Sequence, residues 1–210
     1  MTKKERAARA VELLKGEYPD AICSLSYSDP FQLLCATRLS AQCTDARVNI
    51  VTPALFAEFP TAEAMAAAPQ SRVEELIASC GLYKTKAKDL IEIGRGITER
   101  FGGRVPDTIE ELTSLSGVGR KTANLVVGDI YGKPAVVTDT HFIRIVNRLG
   151  LTDKKEPFKV EKELRALLDP AESNDFCHRT ELHGRAVCTA RKAFCEKCVL
   201  SPICKKVNVK

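Results

Sequence analysis

The chain has 210 residues, of which 44% are apolar, and it carries a net charge of +5. This length supports one sizeable core or two small domains, and the apolar content argues against a disordered chain. No apolar run approaches the roughly 18 to 20 residues of a membrane span, and the polar N-terminus lacks the apolar core of a secretory signal. We therefore expect a cytoplasmic protein that has no membrane partner.

The positive charge is concentrated at the C-terminal end. Residues 177–210 contain eight Lys or Arg and two Asp or Glu, whereas the rest of the chain has 24 basic residues against 25 acidic ones. A charged run is usually a solvated surface, but this one is interspersed with four cysteines, which indicates a surface for a polyanion. Charge alone favours DNA, RNA and an acidic protein equally.

Helical patterns follow one another along the first half of the chain. Capping residues mark four helix starts: Thr2 with Glu5, Asp29 with Pro30, Ser71 with Glu74, and Asp107 with Glu110. The first of these helices is predicted to end at Gly16, the third at Gly81 and the fourth near Leu115. A further helix is predicted from about Thr85 to about Arg100.

The second half continues the helical pattern. A helix is predicted from about Arg120 to Tyr131, and Asp139 is placed to start the next one. The apolar face of that helix is formed by Phe142, Ile145, Val146 and Leu149. Because no alternating run is long enough for a sheet, the predicted fold class is all-α. Helix-breaking residues at 132–134 and near 19–20 suggest domain boundaries.

A turn with two glycines joins two of the predicted helices. The string reads LSGVGRKTA from Leu115 to Ala123. Glycine lets one backbone approach another without interference from a Cβ atom, and the N–H groups that begin the second helix can bind a phosphate. A lone Gly-x-Gly also fits an ordinary corner between helices, but the full string resembles the helix-hairpin-helix of DNA-repair proteins. Gly117, Val118 and Gly119 are therefore predicted to contact a DNA backbone.

Lys121 and Asp139 are the candidates for chemistry. Lys121 lies in the first turn of the hairpin's second helix, where the helix dipole disfavours a cation. Spacing alone favours a phosphate-binding role for it over a nucleophilic one. Asp139 can cap a helix, and it can also face an amine and relay its proton. His141 is interpreted as a structural or DNA-contacting side chain.

Nine cysteines are a high count for a chain without a signal peptide, so metal binding is the first hypothesis for any cluster. Four of them fall within 17 residues: Cys188, Cys195, Cys198 and Cys204. Four thiolates can hold zinc or an iron–sulfur cluster, and the spacing does not decide between them. The remaining five are expected to be small buried side chains: Cys23, Cys35, Cys43, Cys80 and Cys177.

These motifs together resemble the bacterial endonuclease III family, in unbroken order over essentially the whole chain. The resemblance rests on Leu39-Ser40-Ala41-Gln42, Gly81-Leu82-Tyr83, the hairpin with Lys121, Val137-Thr138-Asp139-Thr140-His141, His183-Gly184-Arg185 and the four clustered cysteines. It implies removal of oxidised pyrimidines from damaged double-stranded DNA, by a nucleoid-associated protein that we expect to be a monomer. It also implies a six-helix barrel domain at residues 23–133 and a cluster domain formed by residues 1–22 and 134–210, with DNA in a cleft between them.

The resemblance also implies individual roles. Lys121 attacks the sugar C1′, expels the base and forms a Schiff base, after which β-elimination cuts the strand 3′ to the lesion, and Asp139 assists it. Gln42 and Leu82 fill the stack once the damaged nucleotide is flipped out. Arg191 and Lys192 contact phosphates. A [4Fe-4S] cluster is implied as the cofactor of the four clustered cysteines.

Three residues depart from the family pattern: Arg38, Cys43 and Ser116. The same motifs bear on two alternative functions. A monofunctional mismatch glycosylase of the same superfamily needs a glutamate near Ala36 and lacks the hairpin lysine, so it is disfavoured. The other alternative is a non-catalytic iron–sulfur DNA-binding protein. Such a protein needs no pairing of Lys121 with Asp139, so the presence of both residues argues against it.

Overall fold

The computed structural model describes residues 1–209. Eleven α-helices make up its regular structure: α1 Lys3–Glu17, α2 Pro30–Ser40, α3 Asp45–Glu58, α4 Ala62–Ala66, α5 Gln70–Leu76, α6 Tyr83–Phe101, α7 Ile109–Thr113, α8 Arg120–Tyr131, α9 Thr140–Arg148, α10 Pro157–Leu167 and α11 Ser173–Ala186. Within these residues the β-structure is one isolated bridge between Cys188 and Ala193. The predicted all-α class is confirmed. No helix in the same part of the chain is long and apolar enough to cross a bilayer.

The first two predicted helix starts are confirmed. Thr2 Oγ1 accepts a hydrogen bond from Glu5 N at 3.2 Å, and the Glu5 carboxylate accepts one from Thr2 N at 2.8 Å, which completes the capping box of α1. Asp29 caps α2 by accepting a bond from Gln32 N at 2.9 Å, and Pro30 is the first helical residue.

The next two predicted starts are wrong by one or two residues. Helix α5 begins after Pro69, so Ser71 lies inside it, and it ends at Leu76 rather than at Gly81. Helix α7 is capped by Thr108 instead of Asp107. Asp107 and Thr108 are adjacent capping residues, and the sequence pattern does not show which of them the backbone uses, whereas α5 begins without a side-chain cap.

The described chain divides into two compact units. The central unit comprises Cys23–Tyr131 and contains α2 through α8. The terminal unit comprises Met1–Ile22 and the chain from Gly132 onward, so it contains α1 and α9 through α11.

Two helices of the central unit pack with their backbones in direct contact. A Cβ atom on Gly94 in α6 would lie 2.7 Å from the carbonyl oxygen of Ala62 and 2.9 Å from the nitrogen of Ala66, so α6 and α4 are in direct backbone contact. Among the side chains of the central unit that are fully buried, the largest is that of Lys86. Leucines such as Leu33 and Leu90 are also fully buried in this core.

The terminal unit joins both ends of the chain. Phe142 of α9 and Phe176 of α11 pack edge to face with ring centroids 5.9 Å apart. Buried Arg6 of α1 donates from Nε to the carbonyl oxygen of Ile203 at 3.2 Å. The N-terminal helix is thus held by the C-terminal segment.

Candidate functional site

The hairpin turn between α7 and α8 presents backbone to solvent. Val118 N donates to Leu115 O at 3.2 Å, and the Val118 side chain is buried, which anchors the turn. Helix α8 starts where Gly119 O accepts a bond from Ala123 N at 3.0 Å. A Cβ atom on Gly119 would meet nothing within 4 Å, so the backbone there is open to an approaching ligand. The turn can therefore offer N–H groups to a phosphate.

An ion pair lies behind the turn. Gly117 has a φ of +74°, and a Cβ atom on it would lie 3.2 Å from Asp89 and 3.4 Å from Arg38 Nε. Arg38 Nε donates to Asp89 Oδ2 at 2.8 Å, and Nη2 contacts the same oxygen. Arg38, one of the departures from the family pattern, thus supports the hairpin through Asp89.

Lys121 is in the first turn of α8 and its side chain is exposed. The opposite face of α8 is buried and contains Ala123 and Val126, so the helix is fixed while the amine faces solvent. An exposed amine beside a phosphate-binding turn can bind a phosphate or attack a sugar carbon.

Two loop residues of the central unit adopt an uncommon backbone conformation. Gln42 has a φ of +55° and Leu82 a φ of +59°, and both are exposed, Leu82 by 60%. The loops touch, because a Cβ atom on Gly81 would lie 3.4 Å from Gln42 O. Left-handed backbone is costly for a leucine, and strained residues of this kind cluster at functional sites.

Lys86 was not singled out from the sequence. Its Nζ donates to Leu39 O at 2.8 Å, near the carboxyl end of α2 and beside the Gln42 loop. Burial lowers the pKa of Lys86. A signal was available, since Lys86 lies four and seven residues before the buried Leu90 and Ile93, on the apolar face of α6.

The five cysteines outside the cluster differ in burial. Cys35, Cys80 and Cys177 are buried as predicted. The prediction is wrong for Cys23 and Cys43, which are only half-buried because they lie in loops at the surface of the central unit.

Asp139 performs its predicted structural role. It caps α9, because its Oδ1 accepts a hydrogen bond from Phe142 N at 2.6 Å. His141 is half-buried, with Nδ1 3.1 Å from Arg144 Nη2. A Cβ atom on Gly184 of α11 would lie 2.8 Å from His141 Cβ, so glycine permits α9 and α11 to pack closely there.

The four clustered cysteines line one cavity. Nitrogen atoms surround the sulfurs. Arg148 Nη1 donates to Cys188 Sγ at 3.1 Å, Lys206 N donates to Cys204 Sγ at 3.3 Å, and His183 Nε2 lies 3.2 Å from Cys198 Sγ. Such donors stabilise thiolates and tune the potential of an iron–sulfur cluster.

The four cysteines share one cavity, as the ligands of a polynuclear cluster require. Zinc would instead draw all four sulfurs to about 2.3 Å from a single centre. Burial raises the pKa of Cys198 to about 11.

His183 and Arg148 are partners that the cysteine spacing did not reveal. His183 is buried, burial lowers its pKa to about 4, and its Nδ1 is 3.2 Å from the Tyr18 hydroxyl. The imidazole is therefore neutral and held by α11 between Tyr18 and Cys198.

Arg191 and Lys192 are exposed in the turn after the first clustered cysteine. Thr189 Oγ1 accepts a hydrogen bond from Lys192 N at 3.0 Å and donates to Lys192 O, which orders this turn. Lys192 Nζ lies 4.8 Å from the centre of the Phe194 ring. The turn thus offers two ordered cations to solvent.

Comparisons with known proteins converge on one family. A model of the HhH-GPD superfamily of base excision DNA repair proteins matches residues 35–170. Endonuclease III of Synechocystis is 48% identical over 204 residues, covering 97% of this chain and 93% of that protein. Endonuclease III of Bacillus subtilis is 41% identical over 190 residues, covering 90% and 87%.

Solved structures are similar over the same length. A trapped covalent intermediate of an endonuclease III with DNA has a TM-score of 0.91 at 38% identity, covering 98% of this chain and 97% of that one. A thermostable thymine-DNA glycosylase shares the fold, with a TM-score of 0.88 at 23% identity and 96% of each chain covered.

Proposed function

Because this chain belongs to the endonuclease III family of HhH-GPD base excision DNA repair proteins, we propose that it is a bifunctional glycosylase and lyase. Membership makes it a DNA glycosylase of base excision repair. The proposal is finer: it removes oxidised pyrimidines from duplex DNA and then cuts the strand 3′ to the abasic site. The observation that carries it is the exposed Lys121 in the first turn of the hairpin helix.

Lys121 is the proposed nucleophile. Its Nζ attacks the sugar C1′ while the bond from C1′ to the base breaks, and the sugar ring then opens to a Schiff base. Loss of a proton from C2′ expels the 3′ phosphate by β-elimination, and water releases the lysine. A related endonuclease III forms a covalent intermediate with DNA, which supports a covalent route here.

The central unit supplies the proposed DNA contacts around this lysine. The open backbone at Gly119, with Gly117 and Val118 in the same turn, binds phosphate. Gln42 and Leu82 enter the base stack in place of the flipped nucleotide, which explains why strained residues are exposed there.

The terminal unit supplies the remaining roles. We assign to Asp139, besides capping, assistance to the reaction of Lys121, as a carboxylate that accepts a proton or stabilises positive charge on the sugar. His141, Arg191 and Lys192 contact the DNA backbone as hydrogen-bond donors or cations.

The cysteine cavity of the terminal unit is the proposed site of a [4Fe-4S] cluster, with Cys188, Cys195, Cys198 and Cys204 as ligands. When bound, the cluster ties the C-terminal segment together and supplies a redox centre. Arg148 and His183 orient and stabilise the ligand sulfurs. We accordingly assign the barrel domain of the family to the central unit and the cluster domain to the terminal unit.

Replacing Lys121 tests the mechanism. Glutamine keeps a polar side chain but cannot form an imine, so Lys121→Gln should still bind lesion duplex while base release falls by at least about a thousandfold. The assay uses a duplex with one oxidised thymine, product gels and borohydride trapping. Wild type should be trapped covalently, and the variant should not.

Arg120→Gln is the matched control, because it removes one charge from the same helical turn. It should weaken binding modestly and keep the trapped adduct. An adduct of undiminished yield in Lys121→Gln, mapped to another amine, contradicts the proposal. Base release without strand cleavage by wild type favours a monofunctional glycosylase instead.

A further inference from the structure

Two thiols meet between the loops that present Gln42 and Leu82. Cys43 follows Gln42, and Cys80 precedes Leu82 by two residues. The side chains of Cys43 and Cys80 are hydrogen-bonded to each other, and the backbones of the two loops touch at Gly81 and Gln42. The pair therefore spans the contact between the loops.

The two thiols differ in access to solvent. Cys80 is only 1% exposed, whereas Cys43 is half-buried between the exposed Gln42 and Thr44. Burial, and secondarily Cys43, raises the pKa of Cys80 to about 11, so Cys80 stays protonated. A small solute can reach Cys43 first, and Cys80 is held beside it.

Cations face this pair. The buried ammonium of Lys86 and the guanidinium of Arg47 both interact electrostatically with Cys80, and Lys86 interacts with Cys43 as well. The other buried thiols are different: Cys177 donates to Ser173 O at 3.2 Å, and Cys35 is fully enclosed.

We propose that Cys43 and Cys80 form a reversible oxidation site, at which a peroxide oxidises Cys43 and Cys80 then closes a disulfide. In the first step Cys43 Sγ attacks a peroxide oxygen, the O–O bond breaks, and one water and a sulfenic acid form. In the second, Cys80 Sγ attacks Cys43 Sγ, the S–O bond breaks, and the hydroxyl leaves with the Cys80 proton as water. Two thiols lose two electrons and two protons, and hydrogen peroxide becomes two waters.

The disulfide has a consequence for DNA repair, and this part rests on the proposed function of Gln42 and Leu82. A covalent S–S bond of about 2.04 Å fixes the distance between their two loops. Both residues are in strained conformations, and our proposal takes their insertion into DNA to involve an adjustment of the two loops. The cross-link restricts that adjustment and slows base release by about tenfold or more, since small misplacements near a site have effects of this size.

The test treats purified, reduced protein with hydrogen peroxide, and it separates chemistry from repair. Peptide mass mapping should find a Cys43–Cys80 linked peptide in wild type that a dithiol reductant removes. Cys80→Ala should stop at a sulfenic acid on Cys43, trapped by dimedone, and Cys43→Ala should show no oxidation at Cys80. Cys23→Ala, which removes another half-buried cysteine, should form the link like wild type.

Base release is measured on the same samples. The visible absorbance of each sample is recorded as well, because it shows whether peroxide damages a cluster and whether any damage is the same in all variants. Wild type should lose activity on oxidation and regain it on reduction, while Cys43→Ala and Cys80→Ala should keep it. Absence of the linked peptide overturns the oxidation site even if reduced protein is fully active. A linked peptide with unchanged turnover overturns the effect on the loops. Inactive reduced wild type instead counts against the proposed function alone.

Discussion

At the scale of single residues, Asp139 caps a helix and has, in our proposal, a second role in the reaction. One carboxylate oxygen caps α9, and a carboxylate has a second oxygen with which to assist chemistry. Because aspartate and asparagine are about equally good caps, the two roles can be separated by substitution.

Asp139→Asn should keep the cap and remove the negative charge, so the free energy of unfolding stays within about 0.5 kcal/mol of wild type. Binding of lesion duplex should persist while base release falls strongly, as single-turnover kinetics would show. Asp139→Ala is the matched variant, because it also loses the cap and should unfold about 1 kcal/mol more easily. Unchanged turnover in Asp139→Asn would leave capping as the residue's only role.

Residue-level predictions from the sequence succeeded where the cause is local. The cap at Asp139 is set by three neighbouring residues, and sequence shows these directly. Lys86 was missed, and the contact of His183 was not predicted although its motif was recognised, because Leu39 and Cys198 meet these residues only in the fold. The roles of Lys121 and the clustered cysteines stay predictions, since their chemistry is not visible in their positions.

At the scale of elements, the hairpin turn has two glycines with different duties. Gly117 has a positive φ, and a Cβ atom there would lie against Asp89. A Cβ atom on Gly119 would have no atom within 4 Å. Gly117 therefore serves folding, whereas Gly119 leaves room for a ligand to approach.

Alanine at each position should separate these duties. Gly117→Ala should lower the free energy of unfolding by about 1–2 kcal/mol, because an L-residue is strained in the left-handed region. Gly119→Ala should leave stability within about 0.5 kcal/mol of wild type and weaken DNA binding, since its methyl group projects toward the phosphate. Denaturant titration and fluorescence anisotropy measure the two effects. Equal DNA affinity for wild type and Gly119→Ala would contradict close approach of the DNA backbone.

Some helices were predictable from the residues that flank them, and others were not. Helix α8 was predicted with its observed bounds, because glycines precede it and follow it. Helix α3 was missed since Pro53 lies inside it, where proline normally ends a helix. Helix α4 has five residues, too few for a periodic pattern, and it forms because it packs against α6 at Gly94.

At the scale of the whole molecule, the basic C-terminal segment should govern salt dependence. Each phosphate that the protein neutralises releases counterions from the DNA, so the affinity for duplex falls steeply as the salt concentration rises. Reversing Arg191 and Lys192 to Glu should weaken binding to undamaged duplex and flatten the slope of log affinity against log salt by about 1–2. Anisotropy titrations at several salt concentrations provide the slope.

Lys155→Glu with Lys162→Glu is the control of equal charge change, because both residues are exposed and lie outside this segment. It should leave the slope unchanged. The same loss from both double variants would mean that only net charge matters, and that the ordered turn at Thr189 has no special part in binding.

The contact between Arg6 and Ile203 has a consequence for synthesis on the ribosome. The central unit is one uninterrupted stretch and can fold as soon as it has emerged, since domains generally fold as units during translation. Helix α1 is made before the central unit, yet its partners in the C-terminal segment are made after it. Helix α1 must therefore wait, with its apolar face uncovered, until the segment around Ile203 has left the exit tunnel.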